Sequence, residues 1–250
     1  MKLLFALLLA AAVFCPPAYA RAEQEIIVSA ASSLRDAFIE TGKGFEKENP
    51  GIRVIFNFAA SGVLVQQIAG GAPVDVFASA DEASMDLAEK KGLILKSSRR
   101  NFARNSLVLV VPEASALDIK GLRNLAGNNV SRIAMGNPET VPAGRYARDI
   151  LKENGHWDVL VKKFIYTNNV RQALDYVSRN EVDAGFVYTT DAVVAKGKVR
   201  TVSVLKGKRP AVYPIALTAA SRQGGTGKKF IEFVLGKGEP SLLKYGFMRP

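Results

Sequence analysis

The chain predicts an α/β protein, with sheets that carry helices on both faces. Two observations lead there. Segments with a period-2 or continuously apolar pattern alternate along the whole length with segments whose apolar residues recur at helical spacing. Short turn signals separate them, with no fixed-period repeat, low-complexity tract or long linker between. At 250 residues, 48% of them apolar, the chain suffices for one large domain or two lobes of about 100 to 120 residues.

Strands are expected at 25–30, 52–58, 74–79, 106–111, 131–135, 183–188, 200–204 and 212–218. The clearest is the second, where Ile52, Val54, Phe56 and Phe58 line one face of an alternating run. Helices fit between them. Leu34, Ala37, Phe38 and Phe45 lie near one stripe, as do Val63, Leu64 and Ile68. Tyr146, Ala147, Ile150 and Leu151 form a third stripe, and Val170, Ala173, Leu174 and Val177 a fourth. Asn49-Pro50-Gly51 and Gly70-Gly71-Ala72-Pro73 are helix-ending turns. A last helix is expected over 228–235, ahead of a polar tail. "GGTGKKF" at 224–230 misses the Gly-x4-Gly-Lys-Ser/Thr spacing of a phosphate loop and reads as a flexible turn.

Residues 1–22 read as a secretory signal peptide rather than as part of the fold. Met1-Lys2 is a short basic start, an apolar run follows to Phe14, and Ala18-Tyr19-Ala20 and Ala20-Arg21-Ala22 are small-x-small cleavage sites. The run is too short to span a membrane. Cys15, the only cysteine, lies inside it and follows Phe14, where a lipoprotein site wants a small residue. The remainder has no thiol, which excludes disulfides, thiolate metal sites and cysteine nucleophiles. His156, the only histidine, excludes a multi-histidine metal site. No Gly-x-Ser-x-Gly elbow accompanies it, so a serine hydrolase is not expected. Without Lys2 and Arg21 the chain carries 32 basic and 23 acidic residues, net +9. The basic residues are scattered, with no aromatic-interleaved stripe, so no nucleic-acid partner is expected.

Two points resemble crossings between lobes: Ala103-Arg104-Asn105, and Pro210-Ala211-Val212-Tyr213-Pro214. The expected division is 23–104 plus 214–250 for one lobe and 105–213 for the other. Strand ends repeat a pattern. Ser33 sits at a helix start with Asp36 three residues on, a capping-box pattern. "FNFAASGVL" opens a helix at Ser61-Gly62, "NPETVPAGRYA" enters one through Pro142 with Ala143-Gly144 behind it, and "YTNNVRQAL" starts one at Asn168-Asn169-Val170. Helix starts present N–H groups without internal acceptors and favour anions. In open α/β folds ligands bind off the carboxyl ends of strands. "VDAGFVYTTDAV" ends a strand at Tyr188, whose hydroxyl would reach the same edge. The residues alone leave two readings open, four helix caps or one anion site.

The motifs "AASSLRDAF", "FAASGVLVQQIAGGAPVDVFASAD", "NSLVLVVP", "GNPETVPAGRYA", "NNVRQALDYV", "VYTTDAV" and "LLKYGF" occur in this order. With them the chain resembles the family of periplasmic molybdate-binding proteins, the substrate-capturing subunits of ABC importers. The resemblance implies a two-lobed periplasmic binding protein fold of type II, each lobe a mixed sheet flanked by helices, joined by two crossover strands. It also implies that molybdate, and with it tungstate, is held by Ser33, Ser61, Ala143, Val170 and Tyr188. The molybdenum would arrive as its oxyanion, with no protein ligand on the metal, no further cofactor and no catalysis. A membrane permease would be the partner and a periplasmic monomer the working form. Gly62 stands where serine can occur in the family, and Asn137 where aspartate can; both bear on fine selectivity.

Overall fold

The computed structural model describes residues 24–250; the expected signal segment and its Cys15 lie outside the described residues. Strands and helices alternate from the start: β1 (Gln24–Ala31), α1 (Arg35–Glu48), β2 (Ile52–Ala59), α2 (Ser61–Ala69), β3 (Val76–Ala78), α3 (Glu82–Lys90) and β4 (Arg100–Asn105). The middle of the chain holds β5 (Leu107–Pro112), β6 (Ile133–Gly136), α4 (Pro142–Glu153), α5 (Trp157–Leu160), β7 (Phe164–Thr167), α6 (Val170–Ser178), β8 (Ala184–Tyr188), α7 (Thr189–Val194) and β9 (Val199–Leu205). Last come β10 (Ala211–Leu217), α8 (Gly224–Leu235) and α9 (Glu239–Lys244).

The strands form two five-stranded mixed sheets, ordered β2-β1-β3-β10-β4 and β7-β6-β8-β5-β9. In the first, β1 runs parallel to β2 and β3, while β10 is antiparallel to β3 and β4. The second repeats the plan: β6 is parallel to β7 and β8, and β5 is antiparallel to β8 and β9. The chain leaves the first sheet by β4, turns at Ser106 into β5, and returns from β9 into β10. Each antiparallel strand beside a parallel trio is thus the one that has just arrived from the other sheet. The interior strand β5, Leu107 to Pro112, is apolar throughout and buried at every residue because both its faces are covered.

Eight expected strands are present within one or two residues of their expected ends, with 74–79 shortened to Val76–Ala78. Two more were not expected. β4, RNFARN, is an edge strand that buries only Phe102, Ala103 and Asn105, so it shows no alternation. β7, FIYT, is a four-residue edge strand, too short to carry a period. Helices α3, α5 and α7 likewise fell outside the expected stripes, and the expected polar tail holds α9.

One expectation is overturned. "GGTGKKF" is no flexible turn; it forms the first two turns of α8. A Cβ on Gly227 would stand 2.6 Å from a Leu217 methyl and 3.2 Å from one of Val76. Its glycine serves close helix-on-sheet packing, and Thr226 accepts a hydrogen bond from Gln24 at 2.9 Å. Above it, Phe38, Phe45 and Phe230 meet edge to face, Phe45 and Phe230 at 5.3 Å between centroids.

The second sheet shows the same constraint more sharply. A Cβ on Gly144, in the first turn of α4, would lie 1.9 Å from the Gly136 carbonyl oxygen at the end of β6. The atom it would meet is backbone, so no side chain can yield. Gly144→Ala should therefore cost about 1–3 kcal/mol by overpacking. A melting curve of the variant should fall by roughly 2–4 °C per kcal/mol; an unchanged midpoint would show that α4 shifts freely.

Candidate functional site

All six parallel strands end at one place between the lobes. Ser33 follows β1, Ser61 follows β2 and Ala80 follows β3; from the other sheet come Ala143 after β6, Val170 after β7 and Tyr188 at the end of β8. These residues line a single small cavity. The five residues expected from the resemblance are thus brought together, and each is at most 3% exposed. The lining is serine, alanine, valine, proline and tyrosine, without a charged side chain.

The residues around this space carry hydrogen-bond donors. Ala143 and Val170 stand in the first turns of α4 and α6, where N–H groups lack intrahelical acceptors. Pro142 occupies the first position of α4, and Asn169 caps α6, its Oδ1 accepting from the Gln172 N–H at 3.0 Å. Ser61 Oγ accepts from the Ala80 N–H at 3.0 Å, so its own proton is directed elsewhere. The Tyr188 hydroxyl is buried without a hydrogen-bond partner among the described residues. Burial pushes this phenol well above its ordinary pKa, with nearby tyrosines and carboxylates adding to the shift, so it keeps its proton.

Ser33 departs from its expected role. It is not the cap of a capping box; it lies in a 3-10 turn, Ser32–Leu34, ahead of α1, and makes no capping hydrogen bond. Its Oγ meets the Tyr213 hydroxyl at 3.0 Å. Asp36, the other half of that pattern, pairs with Arg171 of the second lobe at 2.7 Å. Local spacing suggested a cap, but a partner 180 residues away in sequence competes better.

The lobes are latched outside the cavity. Arg145 on α4 donates to Asp81 at 2.8 Å and to Ser84 Oγ at 2.7 Å, both in the first lobe. Arg171 on α6 lies between Asp36 of the first lobe and Asp191 of its own, 2.7 Å from each. Burial raises the Asp191 carboxyl above its usual range while Arg171 opposes the shift. Asp191 also accepts the Tyr188 N–H at 3.0 Å, which ties the latch to the tyrosine in the cavity wall. The Gly62 N–H crosses to the Thr140 carbonyl at 3.0 Å. Sequence reading missed these latches because their partners are remote in sequence. His156 is the residue before α5 and does not line the cavity.

The sequence model of bacterial extracellular solute-binding proteins matches residues 26–248. The chain belongs to that family. This solute-binding protein is 39% identical to the molybdate-binding protein ModA of Escherichia coli (strain K12), over 90% of this chain and 89% of that one. It is 33% identical to ModA of Haemophilus influenzae (strain ATCC 51907 / DSM 11121 / KW20 / Rd), over 90% and 91%. The solved periplasmic molybdate-binding protein of Azotobacter vinelandii superposes with a TM-score of 0.80 at 27% identity, covering 90% of this chain and 99% of that chain. The two-lobed periplasmic binding protein fold is thereby established, and relatives of this kind bind solutes rather than convert them, so the solute-binding protein is not an enzyme.

Gly62 of the solute-binding protein lies where the two lobes approach closely. A Cβ there would stand 2.7 Å from the Thr140 carbonyl oxygen and 3.0 Å from its Cα, both across the cleft. Gly62→Val should hold the lobes apart. Small-angle scattering should then give a larger radius of gyration than the parent protein's under conditions that close the parent; an unchanged radius there would count against the contact as a limit on closure.

Proposed function

We propose that this protein captures molybdate in the periplasm and passes it to the membrane permease of an ABC importer. One observation supports this reading above the rest. A small uncharged cavity is lined from both lobes by residues that carry hydrogen-bond donors, and one of these donors, the Tyr188 hydroxyl, has no acceptor among the described residues. Relatives named for molybdate, at 33–39% identity over about nine-tenths of the chain, point the same way.

Molybdate is a tetrahedral dianion that carries no proton at neutral pH, so a cavity of donors suits it. The donors are the Ser33 and Ser61 hydroxyls with their backbone N–H groups, the Ala143 and Val170 N–H groups, and the Tyr188 phenol. A protonated phosphate brings an O–H that needs an acceptor. An unmet buried polar group costs about 1–3 kcal/mol, so phosphate is disfavoured roughly tenfold or more for each mismatch. Sulfate passes that filter and is rejected by size, because a smaller ion cannot reach every donor at about 2.7–3.1 Å. Tungstate, close to molybdate in size, passes both and is a second ligand.

Charge balance comes from dipoles rather than a buried cation. This avoids a desolvation penalty of several kcal/mol per ion, which an Arg or Lys in the wall would incur. Donors split between the lobes give the ligand its preference for the closed form. Residues 1–22 serve as the export signal, and the protein works as a monomer without a nucleic-acid partner.

Calorimetric titration with molybdate, tungstate, sulfate and phosphate tests this. Tight one-to-one binding of the first two alone is expected. Ser33→Ala and Ser61→Ala should each weaken molybdate binding by about 1.5–3 kcal/mol, the scale of hydrogen bonds to charged groups. Tighter binding of sulfate would replace the ligand assignment, and full affinity in both serine variants would remove the site assignment.

A further inference from the structure

Behind Ser33 stands a buried chain of hydrogen bonds whose direction can be worked out from its far end. The Ser106 N–H can only donate, and it donates to Asn105 Oδ1 at 2.9 Å. This turns the Asn105 amide nitrogen the other way, where it donates to Thr190 Oγ1 at 2.9 Å and to the Tyr213 hydroxyl oxygen at 3.3 Å. The Tyr213 oxygen therefore accepts a hydrogen bond from Asn105, and its own O–H donates to the remaining neighbour, Ser33 Oγ, at 3.0 Å. Asn105, Thr190, Tyr213 and Ser33 are each at most 2% exposed, so water has little access to rearrange the chain. Burial also raises the Tyr213 phenol above its ordinary pKa, which keeps that proton in place.

We infer that Tyr213 is a positioning and specificity-determining residue for ligand capture: backed by Asn105, it holds the Ser33 hydroxyl as a donor into the cavity. The inference rests on the oxyanion reading above. With a lone pair of Ser33 engaged by Tyr213, the serine proton is left for the ligand. The opposite polarity would strand the Tyr213 proton without an acceptor and aim the serine lone pairs at the anion. Ser61 is held in the same sense by a simpler device, the Ala80 N–H. Both serines are thus fixed as donors by protein groups that donate to them, which is what a proton-free oxyanion requires and a protonated one does not match.

The chain also follows the joints of the fold. Tyr213 lies on β10 and Asn105 at the end of β4, beside the two passages between sheets, and Thr190 belongs to α7 of the second lobe. The Tyr213 ring packs against Tyr188, 5.8 Å between centroids. Tyr213→Phe keeps that ring and removes only the hydroxyl.

A double-mutant cycle on the full mature protein tests the inference, read by calorimetric titration with molybdate. Tyr213→Phe should weaken binding roughly tenfold where Ser33 is present, and change it less than about twofold in the Ser33→Ala chain, because coupled groups are non-additive. A merely structural contribution would give the same loss in both backgrounds. Equal losses, or no loss with Ser33 present, would overturn the inference. If Tyr213→Phe no longer melts cooperatively, Asn105→Ala replaces it and is judged by the same comparison. The unsubstituted protein reports separately on the ligand: if it prefers sulfate, the molybdate assignment fails and the cycle is read with sulfate. Binding of no oxyanion would overturn both.

Discussion

The structure depends on one constraint: donors gathered in a buried space must not meet acceptors of the protein's own. An unpaired buried donor costs about 1–3 kcal/mol, and such groups are rare in folded proteins. Here the Tyr188 hydroxyl is one, and the first turns of α4 and α6 bring others. The fold tolerates this cost because each donor is held by something rigid behind it. The Ala80 N–H fixes Ser61, Tyr213 holds Ser33, Asp191 anchors the Tyr188 backbone, and Asn169 caps the helix that presents Val170. Preorganised donors lose little entropy when a ligand arrives.

Small residues are the second half of that constraint. Helix starts can converge only where no side chain intervenes. Alanines and serines at the ends of the parallel strands leave backbone within reach of a small ion. The same need for close approach explains Gly144 against Gly136 and Gly62 against Thr140, one inside a lobe and the other across the cleft. Cations are kept for a different task. Arg145 and Arg171 join the lobes through Asp81 and Asp36, with Asp191 holding Arg171 from its own lobe, outside the cavity wall. There they favour closure without presenting a charge that would attract any anion alike.

Much of the fold was legible in the sequence, and the reasons for the gaps are specific. Strands such as Ile52–Ala59 and Leu107–Pro112 announce themselves by alternation or by continuous apolar burial. Arg100–Asn105 does not, because an edge strand with one neighbour is stabilised by that neighbour rather than by its own pattern. The glycines at 224–227 misled for a related reason: glycine reads as flexibility until a neighbouring surface shows that it is there for lack of bulk. The site loops were visible as recurring small-residue helix starts, but the residues alone could not distinguish caps from a binding site; the family resemblance made that choice.

What the sequence determined by itself was local: apolar periodicity, the Pro142 and Asn169 helix starts, and the order in which elements follow one another. Tertiary structure decided the rest. It brought six strand ends to one cavity, converted the expected Ser33 cap into a partner of Tyr213, and paired Arg145 and Arg171 across the cleft. The physical reason is range. Helix and strand preferences act between residues a few positions apart, whereas the direction of a buried hydrogen bond depends on which groups, from anywhere in the chain, are enclosed together without water.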